Sequence, residues 1–349
     1  MADKFRIAIV GCGAIGRVHA RAITKLEDAQ LVAVSDLKEE NSIKMAEDFG
    51  CNAYTDYRKM FQKEKIDIAC VCTPSGTRIE ICEAATAEHI HLLVEKPLDI
   101  DNERTEKIVN ICRTAGVKLS CVFQLRFLPV FQSLKQAERE GKFGKLIIGN
   151  AATICYRSDD YYKEGGWRGT FAQDGGGALM NQGIHAIDLL RWIMGDVKSV
   201  FAYQDHLTHD IEVEDTLMAG IEFQSGAMGT VTASTSVYNG INKKLEIFGT
   251  DGSVIINDTE PTMWKFKNIQ DSDLGLPKGE QPAHISLSPT SNLIEDVWAH
   301  QQQIADMIEA IKQDREPAIN GDEGRKTVQL VLAIYESART GKRITLPVA

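Results

Sequence analysis

The sequence has no long basic run, no long apolar run and no Pro/Ser-rich linker, and each absence removes a class of function. Acidic residues outnumber basic ones, 49 to 39, giving a net charge of −10. A surface of that sign repels a phosphate backbone, so no nucleic-acid partner is expected. The longest uncharged stretch, Phe223 to Asn242, is full of Ser, Thr, Gly and Asn, too polar to span a bilayer. MADKFRIAIV opens without an apolar secretory core and enters a strand pattern at once. A cytoplasmic protein with no membrane partner is the expectation. The eight cysteines all fall within the first 155 residues, and no second Cys or His pair at zinc spacing follows Cys70 and Cys72. They read as reduced, buried thiols, and no metal site is expected. There is no internal repeat and no low-complexity tract.

What remains is an ordinary globular composition, 43% hydrophobic and 25% charged over 349 residues. At roughly 100–200 residues per domain that is two domains, or one large one. Across the first 125 residues, short β-rich runs alternate with amphipathic stretches. The runs are 5–10, 31–36, 66–72, 91–96 and 118–123, with helical patterns at 19–27, 78–89 and 102–116. Continuous apolar strands with helices between them predict a parallel sheet covered on both faces. From Lys145 the character changes. Strands at 145–156, 197–205, 215–223, 227–238, 243–249 and 253–257, joined by turns such as Gln224-Ser225-Gly226 and Asp251-Gly252, predict a mostly antiparallel sheet. One strong helix is read over 177–194, and two close the chain near 291–314 and 322–340. The domains are expected at 1–125 and 126–349, with the helices near 291–340 able to pack back on the first.

The run 5–10 leads into Gly11-Cys12-Gly13-Ala14-Ile15-Gly16 and then a helix. Gly11 permits a tight turn, Gly13 lets backbone N–H groups approach a pyrophosphate, and Gly16 lets the helix pack against the strand. The helix N-terminus, with Ala14 and Ile15, offers free N–H groups and a positive dipole end. Twenty residues past Gly16 stands Asp36, at the end of the second run. A carboxylate there hydrogen-bonds ribose hydroxyls and repels a 2′-phosphate, while Leu37 offers no compensating charge. Lys38 could offer one, but the balance favours NAD over NADP.

Downstream lie Val94-Glu95-Lys96-Pro97 and then Asp174-Gly175-Gly176-Gly177, opening a helix that carries Asn181 and His185. The glycine turn, the E-K-P tripeptide and a G-G-G run leading to H-x-x-D together resemble the Gfo/Idh/MocA oxidoreductase family over nearly the whole chain. The resemblance implies an α/β Rossmann domain with a parallel sheet, followed by an α+β domain with a large, mostly antiparallel, open-faced sheet. It further implies dimer or tetramer contacts through that open face and a cis bond before Pro97. Two positions depart from the family pattern. Asn181 replaces an Asp four residues before the catalytic His, and Arg78 replaces a His after Thr73-Pro74. With Val122-Phe123-Gln124-Leu125-Arg126, the first departure makes the chain look like the subgroup acting on nucleotide-sugar acids and glycosides.

Oxidising a secondary alcohol with NAD needs a base for the hydroxyl proton and a hydrogen-bonding or positive neighbour for the developing oxyanion. His185 is the best base, since an unperturbed imidazole titrates near pH 6.5. Lys96, at the carboxyl end of a sheet strand, can hydrogen-bond the reacting oxygen or relay the proton. Asn181, one turn before His185, can bond a substrate hydroxyl, and Asp188 either orients the imidazole or pairs elsewhere. Thr73, Pro74, Glu95 and Gln124 complete the expected cofactor groove. On the substrate side, Arg157, Tyr161, Trp167 and Arg168 precede the glycine run, with Lys163 among them. Aromatic faces pack on sugar rings and Arg binds carboxylate or phosphate. His206, His209, His284 and His300 read as structural or surface residues. The sequence thus predicts an NAD-dependent dehydrogenase of a ring hydroxyl on a sugar, a sugar acid or nucleotide sugar, or a cyclitol. The alternatives are an NAD-dependent glycosidase that oxidises its substrate transiently and a non-catalytic NAD-binding regulator.

Overall fold

The structure, a computed structural model, describes residues 4–163, 166–240, 242–267 and 297–347. The chain divides into two compact units, Met1–Gln124 with Ile294–Val328 and Leu125–Leu293 with Gln329–Ala349.

In the first unit, six strands form one sheet: β1 (Phe5–Val10), β2 (Ala29–Ser35), β3 (Asn52–Tyr54), β4 (Ile68–Val71), β5 (His91–Val94) and β6 (Leu119–Cys121). Their order is β3-β2-β1-β4-β5-β6, and every neighbouring pair is parallel. β4 and β6 are buried along their whole length, which accounts for their unbroken apolar sequence. The edge strand β3 is three residues long, with Asn52 and Ala53 exposed, so hydrophobic pattern gave no hint of it. Helix Trp298–Lys312 returns to this unit. Its Ile304, Met307 and Ile308 join Ile7, Ile9, Val34, Ile68 and Leu93 in one core, and Gln303 Nε2 donates to the Cys121 carbonyl at 2.7 Å. The part of the expected helix at 291–296 lies outside the described residues, as does His284. The order reverses between β1 and β4, so the carboxyl ends of these strands flank the crevice where open α/β sheets take ligands.

In the second unit, eight strands form one sheet: β7 (Leu146–Ile154), β8 (Val197–Asp205), β9 (Thr216–Phe223), β10 (Met228–Ser234), β11 (Asn242–Gly249), β12 (Gly252–Asn257), β13 (Glu260–Phe266) and β14 (Ile344–Thr345). Their order is β13-β12-β11-β7-β10-β9-β8-β14. β7 and β10 are parallel, with Ile148 beside Met228, and all other pairs are antiparallel. Helix Ile184–Met194 covers one face, lying so close to β7 that a side chain at Gly149 would strike Met194 and Leu190. On the other face Ile148, Phe201, Tyr203, Met218 and Met228 are exposed.

Two readings need correction. The single helix expected over 177–194 begins as a π-helix, Ala178–Gly183, and becomes α-helical only at Ile184. The wider π turn interrupts the i, i+4 spacing, so Asn181 and His185 do not share a helix face in the simple way their separation suggests. The sheet also continues past 257 into β13, whose burial is confined to Trp264 and Phe266.

Candidate active site

The glycine turn sits between β1 and helix Ala14–Thr24. Gly11 has a φ of +100°, and a Cβ there would lie 2.8 Å from the Cys72 carbonyl, so the ends of β1 and β4 touch through bare backbone. A Cβ on Gly16 would lie 2.1 Å from the Gly11 carbonyl, whereas one on Gly13 would point into open space. No side chain caps the helix that follows. Asp36 Oδ2 accepts the Cys12 N–H at 2.8 Å and Oδ1 accepts the Lys38 N–H at 2.9 Å, while Leu37 is 90% exposed. Gln124, on the short 3-10 helix Gln124–Phe127, keeps its Oε1 buried without a partner among the described residues. An open glycine cradle, an uncapped helix N-terminus, a fixed carboxylate and an unused carbonyl oxygen fit a dinucleotide.

The same edge of the sheet carries Thr73 and Pro74 after β4 and Glu95-Lys96-Pro97 after β5. The Lys96–Pro97 bond is cis. Glu95 is buried, and its carboxylate takes up His19 Nε2 at 2.9 Å and the Lys96 N–H at 3.1 Å. Burial alone would raise its pKa. The His19 hydrogen bond and the positive charges around it outweigh burial and hold Glu95 down at about 2. Burial would depress His19, yet Cys72, Cys70 and Glu95 push it well above the free-imidazole value. His300, stacked edge-on to His19 at 5.2 Å, is held neutral by burial and by the His19 charge, its pKa falling to about 3. His19, Glu95 and His300 bring ligand-type atoms within 4.8 Å of one another. The 2.9 Å contact within that group is a hydrogen bond between the His19 imidazole and the Glu95 carboxylate. Neither His19 nor His300 was singled out as functional from sequence. His19, three residues past Gly16, carried the only available hint.

In the second unit His185 is 9% exposed at the start of the α-helical segment. Asn181 Nδ2 donates to Asp174 Oδ1 at 2.7 Å, and Asp174 Oδ2 accepts the Gly169 N–H at 3.0 Å. The glycine run is needed here because a Cβ on Gly177 would collide with the Glu214 carbonyl. Glu214 is the acceptor that organises this turn. Its carboxylate receives the N–H groups of Gly177 and Leu179, both at 2.8 Å, and the Tyr335 hydroxyl at 2.9 Å. Burial raises its pKa to about 7 against the pull of those bonds. Sequence reading missed both Glu214 and Tyr335, which come from distant segments. Asp188 is engaged by Arg126 through two 2.7 Å bonds, so the pairing elsewhere is the one observed. His209 is buried between Asp215 Oδ2, at 3.2 Å, and the Arg157 carbonyl, at 2.9 Å.

The aromatic and basic residues ahead of the glycine run do assemble. Arg157 and Arg168 lie over the Tyr161 ring at 4.8 and 4.3 Å, and Arg168 lies 5.2 Å from the Trp167 ring. Arg157 Nη2 donates to Gln182 Oε1 at 2.7 Å, while its Nε is buried without a partner among the described residues. Lys163 is exposed.

A family model described as an oxidoreductase family with an NAD-binding Rossmann fold matches residues 5–123, and the GFO/IDH/MocA C-terminal domain model matches 131–255. The myo-inositol 2-dehydrogenase of Thermotoga maritima is 26% identical, with 98% of each chain covered. The D-glucoside 3-dehydrogenase of Escherichia coli is 28% identical, covering 99% of this chain and 98% of its own. The WlbA dehydrogenase of Bordetella pertussis, solved with NADH and UDP-GlcNAcA, superposes with a TM-score of 0.89 at 30% identity, covering 100% of this chain and 99% of that one.

Proposed function

This chain belongs to the Gfo/Idh/MocA family of NAD-binding oxidoreductases, and from that premise we propose that it oxidises a ring hydroxyl of a sugar derivative, with an acidic nucleotide sugar the favoured class. The observation that carries the reading is the gathering of the Gly11–Gly16 turn, Asp36, Thr73 and Lys96 at one carboxyl edge of the parallel sheet. Oxidation of CH–OH to C=O removes a hydride from carbon and a proton from oxygen. NAD, when bound, supplies the hydride acceptor. Gly11, Gly13, Ala14, Ile15 and Gly16 would hold its pyrophosphate, Asp36 its ribose, and Thr73, Pro74 and Gln124 its nicotinamide end. Lys96 donates a hydrogen bond to the reacting oxygen and stabilises charge there, and His185 accepts the hydroxyl proton. Asn181, oriented by Asp174, bonds a neighbouring hydroxyl.

The acidic substrate is supported by Arg157 and Arg168, which share the Tyr161 face, and by the unused buried Nε of Arg157. The UDP-GlcNAcA seen with the WlbA dehydrogenase has that character. Turnover assays with NAD and UDP-GlcNAcA, a glucoside or myo-inositol test the class. No helix among the described residues is long and apolar enough to cross a membrane. We further infer self-association as a dimer or tetramer through the exposed face carrying Tyr203, Met218 and Met228, which sedimentation of the purified protein checks.

A further inference from the structure

Arg78 stands where the family pattern has a histidine, and the residue is only 4% exposed. No carboxylate of the described residues lies within ion-pair distance of it. A buried cation without such a partner is costly unless every N–H finds an acceptor. Here the acceptors are main-chain carbonyls. Nη2 and Nε donate to Thr73 O at 2.9 and 3.2 Å, Nη1 donates to the carbonyls of Glu95 and Pro97, and Nη2 also lies 3.4 Å from Lys96 O.

These carbonyls belong to two loops, one after β4 and one after β5, at the edge that carries the cofactor motif. Three of them are consecutive, on either side of Lys96. The Lys96 N–H is held from the other direction by the Glu95 carboxylate, itself fixed by His19. The peptide planes flanking Lys96 are therefore set by buried side chains, and the direction of its Cα–Cβ bond with them. A planar fork with five donors can serve three residues of one loop and one of another, whereas an ammonium or an imidazole can bridge fewer of them at once.

We propose that Arg78 is a positioning residue for the oxidation: by clamping the carbonyls of Thr73 and Glu95–Pro97 it fixes where the Lys96 ammonium meets the reacting oxygen. This role presupposes that Lys96 acts on that oxygen, as proposed above. Misplacing a reacting group by about 1 Å can cost about 10²-fold in rate, so the loss belongs in kcat rather than in cofactor affinity.

The test uses the full-length protein with NAD, its lysines carrying [13C]dimethyl labels and the Lys96 resonance assigned by its disappearance in Lys96→Ala. In folded Arg78→Lys and Arg78→His the Lys96 resonance should shift and broaden, and its titration midpoint should move, while other lysine signals stay in place. An unmoved Lys96 resonance in either folded variant overturns the proposal, even if the melting temperature falls, since a purely structural Arg78 would lower only the latter. With UDP-GlcNAcA as the probe for turnover, Arg78→Lys should lower kcat by about 10–100-fold yet add no further loss in a Lys96→Ala background. Additive losses overturn it. Normal turnover in Lys96→Ala would instead refute the proposed part of Lys96 in catalysis, and the resonance would still report whether Arg78 sets its position.

Discussion

The Asp36 carboxylate accepts the backbone N–H of Cys12 at 2.8 Å, tying the acid at the end of the second strand to the glycine turn after the first. One oxygen is thereby fixed, and the other accepts from Lys38 at 2.9 Å, so the negative charge is held in place rather than free to swing away from a 2′-phosphate. NAD should therefore bind more tightly than NADP. Asp36→Ala should narrow that preference, as read by calorimetric titration of both nucleotides. Equal affinity for the two in the unmodified protein would contradict the role given to Asp36.

Lys96→Ala and His185→Ala should each reduce kcat by about two decades or more, the scale of a lost general acid or base, with NAD affinity largely kept. Steady-state kinetics beside a cofactor titration separates these effects. Near-normal turnover in either variant removes that residue from the chemistry.

The Arg126–Asp188 pair is buried on both sides, with side-chain exposures of 4% and 1%. Removing one partner strands a charge in the interior, so Asp188→Ala should cost about 3–5 kcal/mol in urea unfolding. Arg126→Met combined with Asp188→Leu should recover much of that loss, because neither charge then remains.

Glu214 gives a pH signature. Burial lifts its pKa to about 7 from an ordinary 4.5, so between those values the folded state holds a proton that the unfolded chain has released. Its contribution to stability is full below about pH 4.5 and is lost as pH rises through about 7. Glu214→Gln should flatten that part of the stability curve in thermal melts taken across the window. A slope unchanged by the substitution would mean the carboxyl titrates elsewhere.

Much of this was legible in sequence because it is local. The strand, glycine turn and helix around Gly11–Gly16 lie within twenty residues, and Asp36 follows at a set distance. Continuous apolar runs marked the parallel sheet, and strand runs joined by short turns such as Gln224-Ser225-Gly226 marked most of the second. What escaped was brought together by the fold. Glu214 and Tyr335 meet the glycine run from segments far along the chain. His300 reaches His19 through a helix that returns to the first unit. Arg78 was seen only as a departure from a pattern, because its acceptors are backbone carbonyls, which sequence does not distinguish. The π turn at Ala178–Gly183 was hidden for a similar reason, since no residue type marks a widened helical turn.

The basic cluster on Tyr161 should make the enzyme prefer an anionic sugar to its neutral counterpart. Charge-assisted hydrogen bonds of about 1.5–3 kcal/mol each would give Arg157→Ala and Arg168→Ala a loss in kcat/KM confined to the acidic substrate. Equal losses on both substrates would assign these arginines to packing against Tyr161.

Dehydrogenase activity is read most plainly from NADH formation in a mixture of the purified protein, NAD and UDP-GlcNAcA, a glucoside or myo-inositol, with the sugar product analysed alongside. The expected result is net NADH matched mole for mole by a keto product, fastest with the acidic nucleotide sugar and suppressed in Lys96→Ala. Tight NAD binding with no NADH from any of these substrates, or release of an aglycone from the glucoside with no net NADH, would contradict it.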